Sequence, residues 1–221
     1  MRFPGSFARG ALFQENPATG DARISGSDAS LCGIERALAD GDEHALELSL
    51  RRLESMYAVA FSYGGIPLIY MGDELAMRND VNWPEDPAHA GDNRWLHRPR
   101  MDWVAAGRRS DPTTVEGRAF AAMHSLVEAR RSLLALRSGG ETAVVPVGPT
   151  SVLSYRRMHP RSAPFLSLTN FGDEPQHVDA EVVGRAGLRD AVHVHSTAGR
   201  LTLESGRIVL DPWSFVWLTG G

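Results

Sequence analysis

Apolar residues recur every three or four positions in the first long periodic stretch of the chain, residues 42–63. These positions are Leu46, Leu50, Leu53, Tyr57 and Ala60. At this spacing they share one face of a helix. Gly64 and Gly65 follow, and glycine tolerates the left-handed conformation in which helices commonly end. The pattern predicts an amphipathic helix that stops at this glycine pair.

An uninterrupted apolar run, IPLIYM, comes next at residues 66–71. It is too short for a helix and lacks the polar alternation of a half-exposed strand, so it predicts a strand buried on both faces. Pro67 suits only a position near the start of such a strand. The residues GDE at 72–74 and a polar loop over 79–110 follow. This order is typical of a parallel α/β fold, in which sites gather beyond the carboxyl ends of strands.

A second helix is predicted to begin at residues 111–113, where the sequence reads Asp-Pro-Thr. Proline is suited to the first helical turn, and Thr113 and Glu116 have the spacing of a capping box. An apolar stripe then runs to about Leu136. It consists of Phe120, Met123, Val127 and Leu134.

Short runs rich in Val, Leu, Phe and Thr replace the helical pattern after Ser138-Gly139-Gly140. The runs lie at 142–147, 151–157, 164–170, 176–183, 190–195, 200–203, 207–210 and 213–219. Regular short strands separated by turn residues predict an antiparallel sandwich or barrel, with a domain boundary near residue 138. Residues 1–33, rich in Gly, Ser, Asn and Pro, are predicted to form a long loop.

Composition limits the possible partners. The 23 basic and 27 acidic residues give a net charge of −4, which argues against nucleic acid or an anionic membrane as a partner. All the basic residues are arginine, for which biased coding is favoured over a functional reason. The single Cys32 excludes an intrachain disulfide and a multi-cysteine zinc site. We therefore expect a cytoplasmic protein.

Five segments resemble the amylosucrase branch of the alpha-amylase family of glycoside hydrolases. They are RFPGSFARG at 2–10, FQENP at 13–17, GDARISG at 20–26, GGIPLIYMGDE at 64–74 and DNRWLHRPR at 92–100. The pattern G-x-P-x-x-Y-x-G-x-E within the fourth segment is common across the family, whereas the others are similar to this branch in particular. The resemblance covers residues 1–137 and is weaker afterwards.

The resemblance implies an α/β plus all-β fold: the C-terminal part of a (β/α)8 barrel, with its last strand and helices, followed by an antiparallel β-sandwich. Residues 1–33 would be a loop or subdomain inserted after barrel strand seven. Residues 34–137 would hold barrel helix seven, strand eight at 66–71, a long loop and helix eight, and 138–221 the sandwich. The family's catalytic carboxylates would precede residue 1. We therefore expect the chain to need the missing N-terminal barrel portion and to be inactive alone.

Retaining glucosyl transfer needs a nucleophile and an acid/base group about 5–5.5 Å apart. The candidate pairs in this chain are Asp73 with Glu74, Glu85 with Asp86, and Asp21 with Glu15. Neighbouring residues of an extended segment point to opposite faces, so the first two pairs make poor dyads. Asp73 and Glu74 are either a carboxylate at a pocket floor or structural acids, and the structural interpretation is favoured. No catalytic residue is assigned.

Three residues are assigned to substrate binding by the resemblance. Arg94 matches the family arginine at the floor of the glucose pocket, where it would pair with an acidic residue that this chain does not contain. Arginine can also offset repulsion among carboxylates. Arg23 and Gln14 match contacts to the fructosyl or acceptor sugar. We expect the Arg94 guanidinium to face the barrel interior, on the side of strand 66–71 that carries Glu74.

Other residue types give weaker signals. The tryptophans at 83, 95 and 103 could stack on sugars, but aromatic residues in long loops more often anchor the loop, so they are left out of the site. The histidines form no credible metal set, and Gly64-Gly65 follows a helix instead of preceding one, unlike a phosphate-binding loop. We expect neither a metal nor a cofactor.

The resemblance implies an enzyme that transfers glucose from sucrose to an α-glucan and releases fructose. Its partners would be sucrose and the α-glucan. A sucrose hydrolase or alpha-amylase-type hydrolase is the close alternative. A non-catalytic, truncated remnant is the alternative from another class, and the coding region upstream would discriminate between remnant and enzyme.

Overall fold

A computed structural model describes residues 5–188, 190–197 and 201–220. The chain divides into two compact units. One consists of Met1–Leu53 and Ile69–Ala121, and the other of Glu54–Leu68 and Ala122–Gly221. Within the described ranges, no helix combines the length and the apolar character needed to cross a membrane.

Helices and short 3₁₀ turns make up most of the regular structure before residue 138. The helices are α1 (Asp28–Cys32), α2 (Ile34–Asp40), α3 (Glu43–Ser62), α4 (Trp103–Gly107) and α5 (Val115–Ser132), with α6 (Glu181–Arg185) later in the chain. The 3₁₀ turns are Asp73–Leu75, Trp83–Glu85, Asn93–His97 and Leu134–Leu136. The strands are β1 (Ala11–Phe13), β2 (Arg23–Ser25), β3 (Glu141–Val144), β4 (Val152–Met158), β5 (Phe165–Asn170), β6 (Gln176–Asp179), β7 (Val192–Ser196), β8 (Thr202–Glu204), β9 (Arg207–Leu210) and β10 (Ser214–Thr219).

The predicted amphipathic helix is confirmed as α3. Asp42 caps it by accepting a hydrogen bond from the Ala45 N–H at 2.9 Å. Leu46, Leu53 and Tyr57 are buried along one face, which stabilises the helix by removing apolar surface from water. Ala60 lies on the exposed side instead, and the neighbouring Phe61 is buried in its place.

The second predicted helix is confirmed as α5, but its cap differs from the predicted capping box. Thr114, not Thr113, accepts a hydrogen bond from the backbone of the first turn, at Gly117. Glu116 is held by Arg108, with Nη2 and Oε1 2.6 Å apart. The glutamate is thus engaged by an arginine, which replaces the reciprocal contact of a capping box.

The predicted strand over 66–71 is wrong for this structure. The segment forms no strand, and Ile66 and Leu68 are 96% and 78% exposed. A strand exists only through hydrogen bonds to a neighbour, and no described residue pairs with this segment. The segment is apolar, as its composition indicates. Burial of an apolar segment requires neighbouring strands, and the described residues provide none here.

Residues 5–33 also differ from the predicted long loop. They contain the antiparallel hairpin of β1 and β2, in which Ala11 pairs with Ser25 and Phe13 with Arg23. The helix α1 follows, with Ser27 as its N-cap and Gly33, at φ 104°, as its C-cap. The turn residues that suggested a loop are concentrated in the nine-residue connection between the two strands.

The β-rich C-terminal region is confirmed as antiparallel. A five-stranded sheet has the order β3-β4-β5-β10-β7, and a three-stranded sheet has the order β6-β9-β8. Leu166 and Leu168 of the first sheet share one core with Val178 and Ile208 of the second. Residues 181–185 at the end of the predicted fourth strand form α6 instead.

Candidate functional site

The hairpin of β1 and β2 carries two of the predicted sugar-binding residues. Gln14 directly follows β1, Arg23 begins β2, and both side chains are exposed. Asn16 organises the connecting loop, since its backbone N–H donates to the Asp21 carbonyl at 2.7 Å. Its side-chain oxygen also accepts from the Ala18 N–H at 3.0 Å. Gln14 and Arg23 therefore lie together at the loop end of the hairpin.

The 3₁₀ turn Asn93–His97, which carries the third predicted residue, packs against this hairpin. The Ser25 hydroxyl donates to the Asn93 carbonyl at 3.3 Å and lies 2.7 Å from Nδ1 of His97. Burial, followed by the charge of Arg98, lowers the pKa of His97. At Nδ1 a neutral ring either donates to the serine oxygen or accepts from it, depending on its tautomer. Residues 14, 23 and 94, far apart in sequence, are thus carried by elements in direct contact.

Arg94 is oriented by Asp92, two residues before it. Arg94 Nε lies 2.8 and 2.9 Å from the two carboxylate oxygens of Asp92, and Nη2 lies 2.6 Å from Oδ2. These side-chain hydrogen bonds, with the backbone N–H of Arg94, lower the pKa of Asp92 to about 2. The Asp92 carboxyl is therefore ionised at physiological pH.

The expected surroundings of Arg94 are not present in this structure. Its side chain is 61% exposed, and its carboxylate partner is Asp92 of the same loop. The expectation of an interior-facing guanidinium on strand 66–71 fails because that strand is not formed. An exposed arginine takes the nearest carboxylate, and Asp92 is held within reach because it also accepts from the Arg94 backbone N–H.

A second set of hydrogen bonds fastens the start of the polar loop beside the hairpin. Asn79 Oδ1 accepts from the Ser27 N–H at 2.8 Å, and Asn79 Nδ2 donates to the Arg9 carbonyl at 3.2 Å. The Asn79 N–H also donates to the Ser30 hydroxyl at 3.0 Å. Ser30 in turn donates to Glu35. Asn79 was missed by the sequence analysis, because one asparagine in a polar loop gives no signal of its partners.

The two acids that follow the apolar run include one that stabilises its own turn. Glu74 Oε2 accepts from the Gly72 N–H at 2.9 Å, which ties down the turn that it belongs to. Asp73 and Glu74 are consecutive in one short 3₁₀ turn. Retaining transfer needs two carboxyl groups about 5–5.5 Å apart that flank the scissile bond, whereas the Glu74 carboxylate is used by its own turn. The contact of Glu74 favours the structural interpretation of this acid.

The loop tryptophans separate into different environments. Trp95 stacks on His89 at 3.6 Å between ring centroids, and Arg98 lies over its ring at 5.6 Å. Trp95 therefore anchors the loop, as expected for aromatic residues there. Trp103, in contrast, is 78% exposed at the start of α4.

Cys32 and the histidines offer no nucleophile or metal centre. Burial, assisted by the negative charge of Asp28, raises the pKa of Cys32 to about 12, so its thiol stays protonated. In the part of the chain that the structure describes, no three His, Cys, Asp or Glu side chains are grouped to hold a metal ion.

Comparison with solved structures places the fold among alpha-amylase-family enzymes. An isomaltulose synthase variant from Erwinia rhapontici, crystallised with its natural substrate sucrose, matches with TM-score 0.52 and 16% identity over 76% of this chain and 38% of that chain. Eubacterium rectale Amy13B matches with TM-score 0.52 and 14% identity over 89% of this chain and 37% of that chain. The catalytic module of SpuA, a pneumococcal glycogen-degrading virulence factor, matches with TM-score 0.58 and 16% identity. The match covers 82% of this chain and 32% of that chain.

These similarities show the fold alone, because all the identities are low. No model of a known protein family matches the chain. The chain spans less than two fifths of the length of each of these neighbours. The chain is therefore similar in fold to the C-terminal part of these alpha-amylase-family proteins, and its antiparallel sheets are consistent with a β-rich C-terminal domain.

Proposed function

We propose that this chain is the C-terminal part of an amylosucrase-like enzyme, which transfers glucose from sucrose to an α-glucan with release of fructose. The observation that carries the proposal is the docking of the Asn93–His97 turn on the β1–β2 hairpin through Ser25. This contact brings together the elements of Arg94, Arg23 and Gln14, the residues that the sequence resemblance assigns to sugar binding. The likeness to alpha-amylase-family structures supports the same class.

In this proposal the described residues bind and orient sugar and perform no covalent step. Arg94, already aligned by Asp92, would offset the charge of pocket carboxylates and donate to glucose hydroxyls. Arg23 and Gln14 would hold the fructosyl or acceptor sugar with a donor fork and an amide that both donates and accepts. The nucleophile and acid/base would come from a barrel segment outside residues 1–221.

Two related reactions and one non-catalytic role compete with glucosyl transfer. A sucrose hydrolase or alpha-amylase-type hydrolase would pass the glucosyl unit to water. Sucrose isomerisation is a further candidate, because several of the matching structures are isomaltulose synthases. A truncated remnant would bind sugar without turnover.

The products formed from sucrose distinguish these functions. The chain is expressed alone and joined to the in-frame upstream coding region, and each protein is incubated with sucrose, with and without glycogen. Transfer predicts fructose release that glycogen increases and that exceeds glucose release. Equal fructose and glucose would indicate hydrolysis, and isomaltulose would indicate isomerisation. Absence of turnover in the joined protein would contradict the proposal and favour the remnant.

Arg94→Ala tests the assigned role in the joined protein. We expect sucrose turnover to fall by about tenfold or more, because an aligned charged donor is lost. The thermal unfolding midpoint should not change measurably, since the Arg94 side chain is largely exposed. Arg131→Ala is the matched control, because Arg131 also forms an exposed ion pair, with Glu128. Equal turnover in the two variants would refute a role for Arg94.

A further inference from the structure

A pocket of about 700 Å³ lies entirely within the compact unit formed by Glu54–Leu68 and Ala122–Gly221. The end of α3, the segment that follows this helix, the last turns of α5 and the next 3₁₀ turn form its walls. Binding sites for small molecules commonly have volumes of about 300–1,000 Å³. The pocket is therefore large enough for a small organic molecule.

Positive charge exceeds negative charge on the wall of this pocket. Arg130, Arg131 and Arg137 line it together with one carboxylate, Glu128. Arg131 Nη1 lies 3.0 Å from Glu128 Oε1, so these two charges offset each other. Neither Arg130 nor Arg137 forms an ion pair with a carboxylate among the described residues. The wall therefore carries an excess of positive charge, which attracts an anion.

Arg130 is held by backbone carbonyls and not by an acid. Its Nη1 donates to the Phe61 carbonyl, and its Nη2 donates to the Gly65 carbonyl at 3.2 Å. These bonds occupy part of the guanidinium fork, and its other N–H groups make no hydrogen bond to the described residues. Burial, followed by the charge of Arg157, lowers the pKa of Arg130. An anion beside Arg130 would offset this repulsion between the two arginines.

Arg137 supplies a second guanidinium on a fixed backbone. It follows the 3₁₀ turn Leu134–Leu136, and its carbonyl accepts from Arg157 Nη2 at 3.0 Å. Its side chain is exposed and makes no hydrogen bond or ion pair among the described residues. Guanidinium groups bind carboxylates and phosphates through paired N–H···O bonds. The donors of Arg137 are therefore available for such a group.

An apolar surface lines the same pocket. Phe61 and Leu136 are 4% and 1% exposed and form its floor, and the half-buried Val127 and Pro67 lie beside them. A bare inorganic ion would contact the arginines and leave this surface in water. A ligand with an apolar body would cover it as well, which favours binding by removing apolar surface from water.

We propose that this pocket binds a small organic anion. Arg130 and Arg137 hold its carboxylate or phosphate group, and its apolar body packs on Val127 and Pro67. The site goes beyond the proposed transfer reaction, because its ligand is charged and undergoes no chemistry there. All the residues that line it belong to this chain, so the site does not depend on a barrel segment outside residues 1–221.

Calorimetric titration of the chain with phenyl phosphate and with benzoate tests the proposal. Each probe joins an anionic group to an aromatic body, and the tighter of the two identifies phosphate or carboxylate as the preferred group. We expect saturable binding of at least one probe. It should bind about fivefold or more tightly than inorganic phosphate or acetate, which lack the apolar body, and neutral benzyl alcohol should not bind.

Arg137→Ala should weaken binding of the tighter probe about tenfold, because a charged hydrogen-bond donor is lost. Arg161→Ala is the matched control and should bind as the parent does, since Arg161 is exposed in the same unit and does not line the pocket. Arg130→Lys should also weaken binding, because lysine keeps the charge but lacks the planar fork. Circular dichroism checks that each variant is folded.

Several outcomes would overturn the proposal. It is wrong if neither probe binds, if inorganic phosphate or acetate binds as tightly as its aromatic counterpart, or if benzyl alcohol binds as tightly as the probes. Equal affinities of Arg137→Ala and Arg161→Ala would also refute it. Binding is measured without sucrose, so failure of this site and failure of the transfer reaction are distinguishable.

Discussion

Two short apolar runs of this chain have opposite environments. The strand β5, FLSLTN, lies between β4 and β10, and all six of its residues are buried. The segment 66–71, IPLIYM, has no strand on either side among the described residues, and Ile66 is 96% exposed. By composition the second run is the more apolar. Hydrogen-bonded neighbours and a covering core, rather than local apolar content, therefore determine which run is buried.

The strongest test of this comparison is one leucine truncation in each run. Leu168 is completely buried in β5, so Leu168→Ala should lower the free energy of unfolding by about 2–5 kcal/mol through lost burial and a cavity. Leu68 is 78% exposed, so Leu68→Ala should change it by less than about 0.5 kcal/mol. Urea unfolding followed by tryptophan fluorescence measures both values.

The same pair reveals whether the segment has a partner. If Leu68→Ala also cost more than about 1 kcal/mol in the chain alone, residues 66–71 would be packed and the comparison would fail. In the protein joined to its upstream region, in contrast, a large cost for Leu68→Ala would mean that the segment had become a buried strand. The difference between the two measurements isolates the contribution of added neighbours.

The sequence predicted the β-rich region well because its information is local. Turn residues separate short runs of β-branched and aromatic residues, and these limits coincide with β3 to β10 within a few residues. The same reasoning gave a wrong prediction for residues 66–71. Their pattern carries no information on whether other strands lie beside them.

The candidate site was predictable only through motif resemblance. Nothing in the spacing of Gln14, Arg23 and Arg94 shows that their elements meet, since the contact runs through Ser25 and the Asn93 carbonyl. The motif resemblance also did not predict that the Asp92 carboxylate would form an ion pair with the Arg94 guanidinium. Trp103 was left out of the site because aromatic residues in long loops more often anchor the loop, whereas its side chain is 78% exposed.

Arg157 of β4 extends the comparison to side-chain hydrogen bonds. Its guanidinium bonds backbone carbonyls that have no partner in a strand. Its guanidinium is buried and donates to the carbonyls of Ala135, Tyr63 and Arg137 at 3.1, 2.7 and 3.0 Å. Gly64 lets Nη1 approach, since a Cβ there would lie 2.6 Å from it.

Arg157→Met should therefore lower the free energy of unfolding by about 2–4 kcal/mol, because several carbonyls lose a charged donor. Arg156→Met is the matched control on the next position of β4. The Arg156 side chain is half-buried and makes no hydrogen bond to the described residues, so its replacement should cost less than about 0.5 kcal/mol. Similar values for the two variants in urea unfolding would show that the carbonyls do not depend on Arg157.

The smallest expected effect concerns His195, on a strand with one neighbouring strand among the described residues. It lies on β7, which among the described strands pairs only with β10. Its Nε2 is 3.2 Å from the Ser125 hydroxyl, and its ring is 5.5 and 6.0 Å from those of Phe215 and Trp217. Burial, followed by the charge of His193, lowers the pKa of His195. The edge strand is therefore covered closely enough to disfavour a charged ring.

This shift makes stability depend on pH in a defined direction. Above the unfolded pKa of about 6.5 the ring is neutral in both states. As pH falls below that value, the unfolded chain binds a proton that the folded ring resists, so the free energy of unfolding decreases until the lowered folded pKa is passed. We expect urea unfolding between pH 7.5 and 5.5 to show this loss and His195→Gln to lose less stability over the same range. Parallel pH profiles for parent and variant would mean that water reaches the His195 ring. The edge strand would then be exposed to solvent on this side, as residues 66–71 are.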